Sequence, residues 1–434
     1  MGSGGDGGKM NQTGSMPPGV PARAAALKLL EAVLRRGLPL ESALDAAARG
    51  LDRTDDRALA HAIAGEVLRR LADLDALIDG ATAKPLPPDA KARFALRIAL
   101  AQALLLGTPQ HAAIATVLPL VDGGPRRLVH GVFGTLMRRH ATLPDLPTLP
   151  GPVAERWTAA WGAGIVDAAA CAITAPPPLD LSLRASTAAA EWAERLGGVS
   201  LAPGHVRLPA GARVTELPGF AEGAWWVQDI SSSLPARLLG QGGGKGILDL
   251  CAAPGGKAMQ LAAAGWTVTA LDLSEGRLAR MRDNLDRTGL AAELLVGDAL
   301  TFTPPAAADA VLLDAPCSAT GIFRRHPDVL HRARPNAIRG LAERQQAMLA
   351  RAASWVKPDG RLVYAVCSLE PEEGEGVADA FLASHRGFSA EPVAADELPP
   401  GITPDAAGRV RVLPGMLAEA GGADGFFVAR FRRA

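Results

Sequence analysis

From Gly246 onward the chain alternates strand-like and helix-like segments, and that alternation constrains the fold more than any other feature of its 434 residues. The order is GILDLCAA, a helix through Leu261, TVTALDL, a helix over EGRLARMRDNLDRTG, ELLVGDA, AVLLDAP, a helix near Ala337 to Val356, and RLVYAVCS. Parallel strands need long crossovers, and helical crossovers cover the faces of the sheet they connect. The pattern therefore predicts an α/β, Rossmann-like domain with a mostly parallel sheet, placed at 236–434. In such a sheet, ligands bind at the carboxyl ends of the strands.

Earlier segments read differently. Val20 to Arg139 is dense in Ala and Leu at helical spacing without strand-like alternation, which predicts an all-α bundle over 20–141. Asp55-Asp56 before the run Arg57 to Asp79, and Pro87-Pro88-Asp89 before Lys91 to Leu106, are helix-start signals, and Gly107 and Pro109 stop the second run. The prolines of TLPDLPTLPGP mark a linker, placed at 142–178, with a short helix whose Trp157 and Trp161 read as packing anchors or base-stacking platforms. LDLSLR, the helix STAAAEWAERLG and the segments HVRLP, ARVTEL and AWWVQDISS predict a small α+β connecting subdomain at 179–235. The Gly- and Ser-rich residues 1–19 read as a flexible tail without the apolar core of a secretion signal.

Lys and Arg number 45, as do Asp and Glu, so net charge argues neither for nor against nucleic acid and local clusters decide. Arg69, Arg70, Arg126, Arg127, Arg138 and Arg139 are either a solvated helix surface or an RNA-facing one. No apolar run is long enough for a membrane span, so no membrane partner is expected. Cys171, Cys251, Cys317 and Cys367 are widely separated and form no C-x-x-C pair, which argues against zinc and a disulfide framework and for a reducing cytoplasm.

The strand GILDLCAA ends in a turn, Cys251-Ala252-Ala253-Pro254-Gly255-Gly256-Lys257, followed by a helix. Paired glycines let backbone N–H groups approach a ligand, and the helix start favours a negative group. It is not a Walker loop, because Cys251 stands where the glycine five residues before Gly256 would be and no Ser or Thr follows Lys257; nor is it G-x-G-x-x-G. Asp272 closes the next strand, where it can accept from the hydroxyls of a ribose, and Asp298 ends the third, where it can meet an adenine edge. Singly, each could be a helix cap or turn former. Acids at successive strand ends favour a nucleoside ligand.

The next two strands lead into VLLDAPCSATGIFRRHPD and LVYAVCSLEPEEGE. A lone Cys on an apolar strand is usually a small core residue. Two of them, each just past a strand end in a Pro- or Ser-flanked turn, point to chemistry. The motifs QDISS, CAAPGGK, Asp272, Asp298, DAPCSATG with RRHPD, VCSLEPEE and DGFFVARFRR resemble the RsmB/NOP family of RNA 5-methylcytosine methyltransferases over about Val227 to Arg432. DRALAHAIAGEVLRR, LRIALAQALLLGTPQHAAI and RLVHGVFGTLMRR resemble the NusB-like helical domain, whose members bind RNA or attach to RNA enzymes. The combined architecture is similar to the bacterial RsmB (Sun/Fmu) subgroup, which modifies small-subunit ribosomal RNA.

The resemblance implies S-adenosyl-L-methionine as cofactor, bound by the turn from Cys251 to Lys257 together with Asp272, Asp298 and Asp314. It implies Cys367 as the nucleophile that adds to carbon 6 of cytosine, activating carbon 5, with Cys317 assisting release. Asp314 is expected at the N3/N4 edge of the base. Lys257 either contacts the base region or is a simple helix-start cation. Arg324, Arg325 and His326, with His331, Arg332 and Arg334, form a basic run suited to phosphate contacts. The expected partner is 16S ribosomal RNA in a single-stranded or looped region, because a base must leave its stack to be methylated. The NusB-like part is a further docking place for RNA or a protein, and the chain is expected to be a monomer. Methylation of transfer RNA or another ribosomal cytosine, or a non-catalytic assembly role, are the rival readings. Ala319, Val366 and Gly374 depart from the family's usual Gly, Thr and Asn, which puts the fine geometry around the cysteines in question.

Overall fold

The computed structural model describes residues 17–434, so most of the tail expected at 1–19 lies outside the described residues. The chain divides into two compact units, Met1–Asp145 and Leu146–Ala434. The first is helical: α1 (Val20–Leu34), α2 (Leu40–Ala47), α3 (Thr54–Arg69), α4 (Leu71–Gly80), α5 (Lys91–Leu104), α6 (Gln110–Val117) and α7 (Gly123–Arg138). Helix α5 is buried from Ala92 through Gln102, as expected of a helix enclosed by its neighbours. Two arginines inside it are neutralised from α4: Arg93 lies 3.0 Å from Asp75, and Arg97 lies 2.7 Å from the same carboxylate.

The run expected from Arg57 to Asp79 breaks at Arg70. There the side chain turns back to Asp73 (3.2 Å) and to the carbonyls of Pro144 (2.9 Å) and Asp145 (3.0 Å), contacts an uninterrupted helix pattern does not disclose. Arg69 is held by Glu66 at 3.3 Å. Of the six arginines singled out, Arg126, Arg127, Arg138 and Arg139 are the exposed ones. No helix of the described residues is long and apolar enough to cross a membrane.

In the second unit the segment read as a linker carries two helices, α8 (Gly151–Trp161) and α9 (Gly164–Ile173). Pro152 sits in the first turn of α8, where its missing N–H costs nothing, so the proline run ends where helix can begin. Trp157 is fully buried against Phe323, with ring centroids 5.5 Å apart, and its indole N–H donates to Glu370 at 3.1 Å. The packing-anchor reading of that tryptophan is the one realised.

A three-stranded antiparallel sheet follows in the order β2-β1-β3, from β1 (Leu179–Leu183), β2 (His205–Leu208) and β3 (Trp225–Val227), with α10 (Ala189–Leu196) between β1 and β2. Helix α11 (Ile230–Arg237), capped by the Asp229 carboxylate, then leads into the main sheet. Its parts are β4 (Gly246–Leu250), α12 (Gly256–Ala263), β5 (Thr267–Asp272), α13 (Glu275–Thr288), β6 (Glu293–Val296), β7 (Ala308–Asp314), α14 (Val329–Arg332), α15 (Pro335–Ser354), β8 (Val356–Val366), α16 (Glu375–Ser384), β9 (Phe388–Ala390), β10 (Val410–Val412) and β11 (Phe426–Arg433). The strand order is β10-β11-β8-β7-β4-β5-β6, with β9 also on β11. Pairing is parallel from β8 through β6, and β11 joins β8 antiparallel. The chain leaves β4 towards β5 and returns to its other side with β7, which makes the β4/β7 boundary the switch point where a ligand crevice opens.

Because Trp157 joins a fully buried ring to a buried hydrogen bond, Trp157→Ala should lower the unfolding free energy of its unit by about 3–5 kcal/mol. Arg126→Ala, at an exposed position, should change it by less than about 0.5 kcal/mol. Urea unfolding of the full chain measures both; a Trp157→Ala protein as stable as the parent would show that α8 is not part of this core.

Candidate active site

Five strands deliver side chains to one end of the sheet. Register aligns Leu250 of β4 with Leu271 of β5 and Leu313 of β7, and Asp314 of β7 with Ala365 of β8. The loops after these strands therefore start side by side. Cys251 follows β4 with φ +60, and Gly255 turns the chain into α12 at φ +104. A Cβ at Gly255 would lie 2.6 Å from Met281, so glycine is required there by both conformation and space.

Apart from Gly255, the residues expected to hold one cofactor line two hollows. Cys251, Asp272 and Asp298, with Leu273, Arg277 and Arg344, line the smaller, about 190 Å³. Ala252, Ala253, Pro254, Gly256, Lys257 and Asp314 line the larger, about 490 Å³, with Phe220, Trp226, Arg325 and His326. Asp272 accepts from the backbone N–H groups of Ala253 (3.1 Å) and Ser274 (2.9 Å), an arrangement that fixes its carboxylate at the rim. Asp298 accepts from the Leu300 N–H at 2.9 Å and lies 3.7 Å from Arg344. Burial pushes the Cys251 thiol up to about 12, helped by the negative charges of Asp314, Asp272 and Asp249, so it is a neutral wall of the smaller hollow.

Sequence reasoning passed over Asp249. It is fully buried in β4, lines the larger hollow, and neither carboxylate oxygen has a hydrogen-bond partner. Burial pushes it up to about 8, with Asp314 adding to the rise and Lys257 opposing it. Its signal was a lone acid within the apolar strand GILDL. A buried, unpartnered carboxylate is costly unless a ligand supplies the missing donor or charge.

Lys257, at the start of α12, donates to Asp314 at 2.8 Å and sits 5.3 Å from the centre of the Phe426 ring. Burial alone would lower this ammonium, but the charge and hydrogen bond of Asp314 outweigh it and the net direction is up. Lys257 is thus a fixed cation in the ligand crevice and not a solvated helix-start charge. The hollow's floor combines that one ammonium with Asp249 and Asp314, and Asp272 stands next door. The orphaned carboxylate of Asp249 fits a ligand that carries positive charge, as the sulfonium and ammonium of S-adenosylmethionine do.

Cys317 and Cys367, on the loops after β7 and β8, bring their sulfurs to 3.5 Å, and both are partly accessible. The Cys317 thiol is held well above its ordinary value by its hydrogen bond to Cys367, then by burial, then by the charges of Cys367 and Glu373. Lys257 and Arg325 both interact with charge on Cys367. Cys317 is thus a neutral thiol in contact with the Cys367 sulfur.

The basic run expected to hold phosphate needs correction. Arg324 is buried, 3.4 Å from Asp424 and 3.6 Å from Asp229, and donates to the Gly421 carbonyl at 2.8 Å. Arg325 pairs with the same Asp424, and Arg332 with Asp328 at 3.1 Å. Arg324 is therefore an internal strut that ties this loop to the segment before β11. Arg325 and His326 line the larger hollow, and Arg334 is exposed.

Two departures from the family pattern have structural readings. Ala319 takes φ +58, the left-handed region where the usual glycine is unstrained. At Gly374 a Cβ would fall 2.2 Å from Arg411, whose guanidinium reaches Glu375 at 2.6 Å and the Ser368 carbonyl. Nothing in the structure explains Val366.

Comparison with known proteins agrees with this organisation. Residues 236–432 match the family model described as 16S rRNA methyltransferase RsmB/F, and residues 20–127 match that of the NusB family. The chain is 36% identical to ribosomal RNA small subunit methyltransferase B of Xylella fastidiosa over 440 residues, covering 96% of this chain and 98% of that protein. It is 34% identical to the protein of that name from Xanthomonas campestris pv. campestris, covering 87% and 91%. A crystal structure of a methyltransferase homolog protein from Pyrococcus horikoshii superposes with a TM-score of 0.55 at 25% identity, over 69% of this chain and 98% of that one.

Asp249 gives the site a pH signature. Unfolded, its carboxyl loses its proton near pH 4, whereas the folded chain keeps it to about pH 8. The folded state therefore binds more protons across that window, and stability falls as pH rises through it. Asp249→Asn should remove this slope, stabilising the ligand-free protein at pH 8 by about 1–3 kcal/mol and hardly at pH 4. Urea unfolding across that range measures it; equal slopes in both proteins would mean that Asp249 is not protonated.

Proposed function

This chain belongs to the 16S rRNA methyltransferase RsmB/F family, and from that premise we propose that it methylates carbon 5 of a cytosine in small-subunit ribosomal RNA through a covalent adduct with Cys367. The coarser activity, S-adenosylmethionine-dependent methylation of ribosomal RNA, is that of its family. What carries the finer reading is the pair of sulfurs 3.5 Å apart beside the Lys257–Asp314 ion pair.

Asp272 and Asp298 would hold the adenosine part of the donor, and Asp249 the cationic amino-acid end. Bound there, S-adenosylmethionine supplies an electrophilic methyl group. The target base would enter the hollow of about 490 Å³ lined by Phe220, Trp226 and Arg325, which has the size and the flat walls for a single extruded ring.

Carbon 5 of cytosine is a weak nucleophile. Addition of the Cys367 sulfur to carbon 6 makes it enamine-like and able to take the methyl group. Lys257, held by Asp314 at 2.8 Å, and Arg325 line the hollow the base would enter. Asp314, paired with Lys257 at 2.8 Å, would accept from the exocyclic amino group of the base and balance charge that develops on the ring during addition. As carbon 5 then gives up its proton to water, the carbon–hydrogen electron pair re-forms the 5,6 double bond. The sulfur–carbon 6 pair returns to Cys367, and the Cys317 thiol, neutral and in contact, donates to the departing sulfur.

Transfer of a tritiated methyl group to purified 16S ribosomal RNA, with bisulfite mapping of the product, tests this assignment. Cys367→Ala should lower transfer by about a thousand-fold or more while donor binding persists. Cys317→Ala should accumulate a protein–RNA adduct that survives a denaturing gel. Undiminished transfer by Cys367→Ala would remove it as the nucleophile, and label on any atom other than carbon 5 of cytosine would remove the reaction.

A further inference from the structure

Neither thiol is placed by its own strand alone. Ser318 follows Cys317, Ser368 follows Cys367, and both serines converge on one buried carboxylate, Glu373, in the loop between β8 and α16. Its Oε1 accepts from the Ser318 backbone N–H at 2.8 Å and from the Gln345 side-chain amide at 3.1 Å. Its Oε2 accepts from the Ser368 hydroxyl at 2.6 Å and from the Ser318 hydroxyl. Gln345, on α15, donates also to the Pro316 carbonyl at 2.9 Å, immediately before Cys317. The Tyr364 hydroxyl of β8 lies between the Gln345 side-chain oxygen, at 3.1 Å, and the Glu373 carbonyl, either of which can take its one proton.

We propose that Glu373 is a positioning residue for the methyl-transfer reaction: one carboxylate latches the two cysteine loops together and so sets the separation and orientation of Cys317 against Cys367. The inference rests on the assignment of Cys367 to addition and Cys317 to release. Three features argue that the latch is more than loop packing. Three of the four donors to Glu373 belong to the residues directly after the two cysteines, so a change in their spacing is passed on to the sulfurs. The carboxylate accepts from four donors and sets a negative charge next to Cys317. That charge is one of the causes, after the Cys367 contact and burial, that keep the Cys317 thiol protonated and able to donate.

The step sensitive to such a latch is release. Addition needs only the Cys367 sulfur against carbon 6, whereas release needs Cys317 in contact with that sulfur as the bond breaks. Loss of the latch should therefore slow turnover without weakening either substrate.

Glu373→Gln keeps shape and removes the charge and one acceptor. Steady-state kinetics of the full-length variant with ribosomal RNA and S-adenosylmethionine should show kcat lowered at least tenfold, both KM values within twofold of the parent, and adduct accumulating on denaturing gels. Ser318→Ala, which removes one hydroxyl from the latch and leaves the backbone N–H, should change the same quantities in the same direction and by less. Parental kcat in Glu373→Gln would overturn the proposal. So would a fall in kcat accompanied by raised KM values, a lowered melting temperature and no adduct, which is the signature of general loosening. If Glu373→Gln does not fold, Ser318→Ala decides by the same reading. Cys317→Ala run alongside separates the two levels: if it accumulates no adduct, the release assignment fails, and the latch stands or falls on the kcat-against-KM split alone.

Discussion

Parallel pairing of β7 with β8 is the constraint from which the site follows. Neighbouring parallel strands end at the same edge, so the loops that leave them begin in register, here at Asp314 and Ala365. Two short turns then bring Cys317 and Cys367 to 3.5 Å, although fifty residues separate them along the chain. An antiparallel neighbour would have sent one thiol to the far end of the sheet. The same register puts β4 beside β7, so that Lys257, one turn beyond β4, can reach Asp314 across the boundary where the chain reverses its order. The two hollows and the thiol pair are thus consequences of one set of strand neighbours.

Electrostatics then divide the labour that the backbone has brought together. Asp249, Asp272 and Asp314 crowd one edge of the sheet with the ammonium of Lys257 among them, and burial pushes the orphaned Asp249 up to about 8. On the other side, the Cys367 contact, burial and the charge of Glu373 keep the Cys317 thiol protonated.

Much of this was legible in the sequence, because local features carry it. The switch from helical spacing to strand–helix alternation, the Ala-Pro-Gly-Gly turn, the strand-ending acids and the two turn-borne cysteines each occupy a window of a few residues. What was not legible depends on partners far away in the chain. The segment 142–178 looked like a linker because its prolines are visible, whereas the contact of Trp157 with Phe323 and Glu370 is not. Arg324 looked like a phosphate ligand because basic residues surround it, whereas Asp229 and Asp424, its actual neighbours, lie about a hundred residues away on either side. Glu373 was one acid among several in EPEEGE, and only the fold selects it over Glu370, Glu372 and Glu375. Asp249 is the exception: a charged residue in an otherwise apolar strand is a local anomaly.

Helix α8 shows how far the catalytic geometry extends beyond the sheet. Arg156 donates to both oxygens of Glu370 at 3.1 Å, Trp157 to one of them, and Trp161 to the Leu369 carbonyl at 2.9 Å. The loop that begins with Cys367 is therefore held at Ser368 and Glu373 from the sheet side and at Leu369 and Glu370 from α8. Arg411 adds a third hold by donating to the Ser368 carbonyl while lying 5.0 Å from the centre of the Trp161 ring, in the space that Gly374 leaves open. A loop that leaves a thiol accessible cannot be made rigid from that side, since its accessible face makes no contacts. Rigidity has to be imported from behind, and here it comes from a helix that precedes the sheet by about eighty residues. The catalytic unit accordingly begins at α8, and the absence of any strand from that region is no guide to whether it belongs to the site.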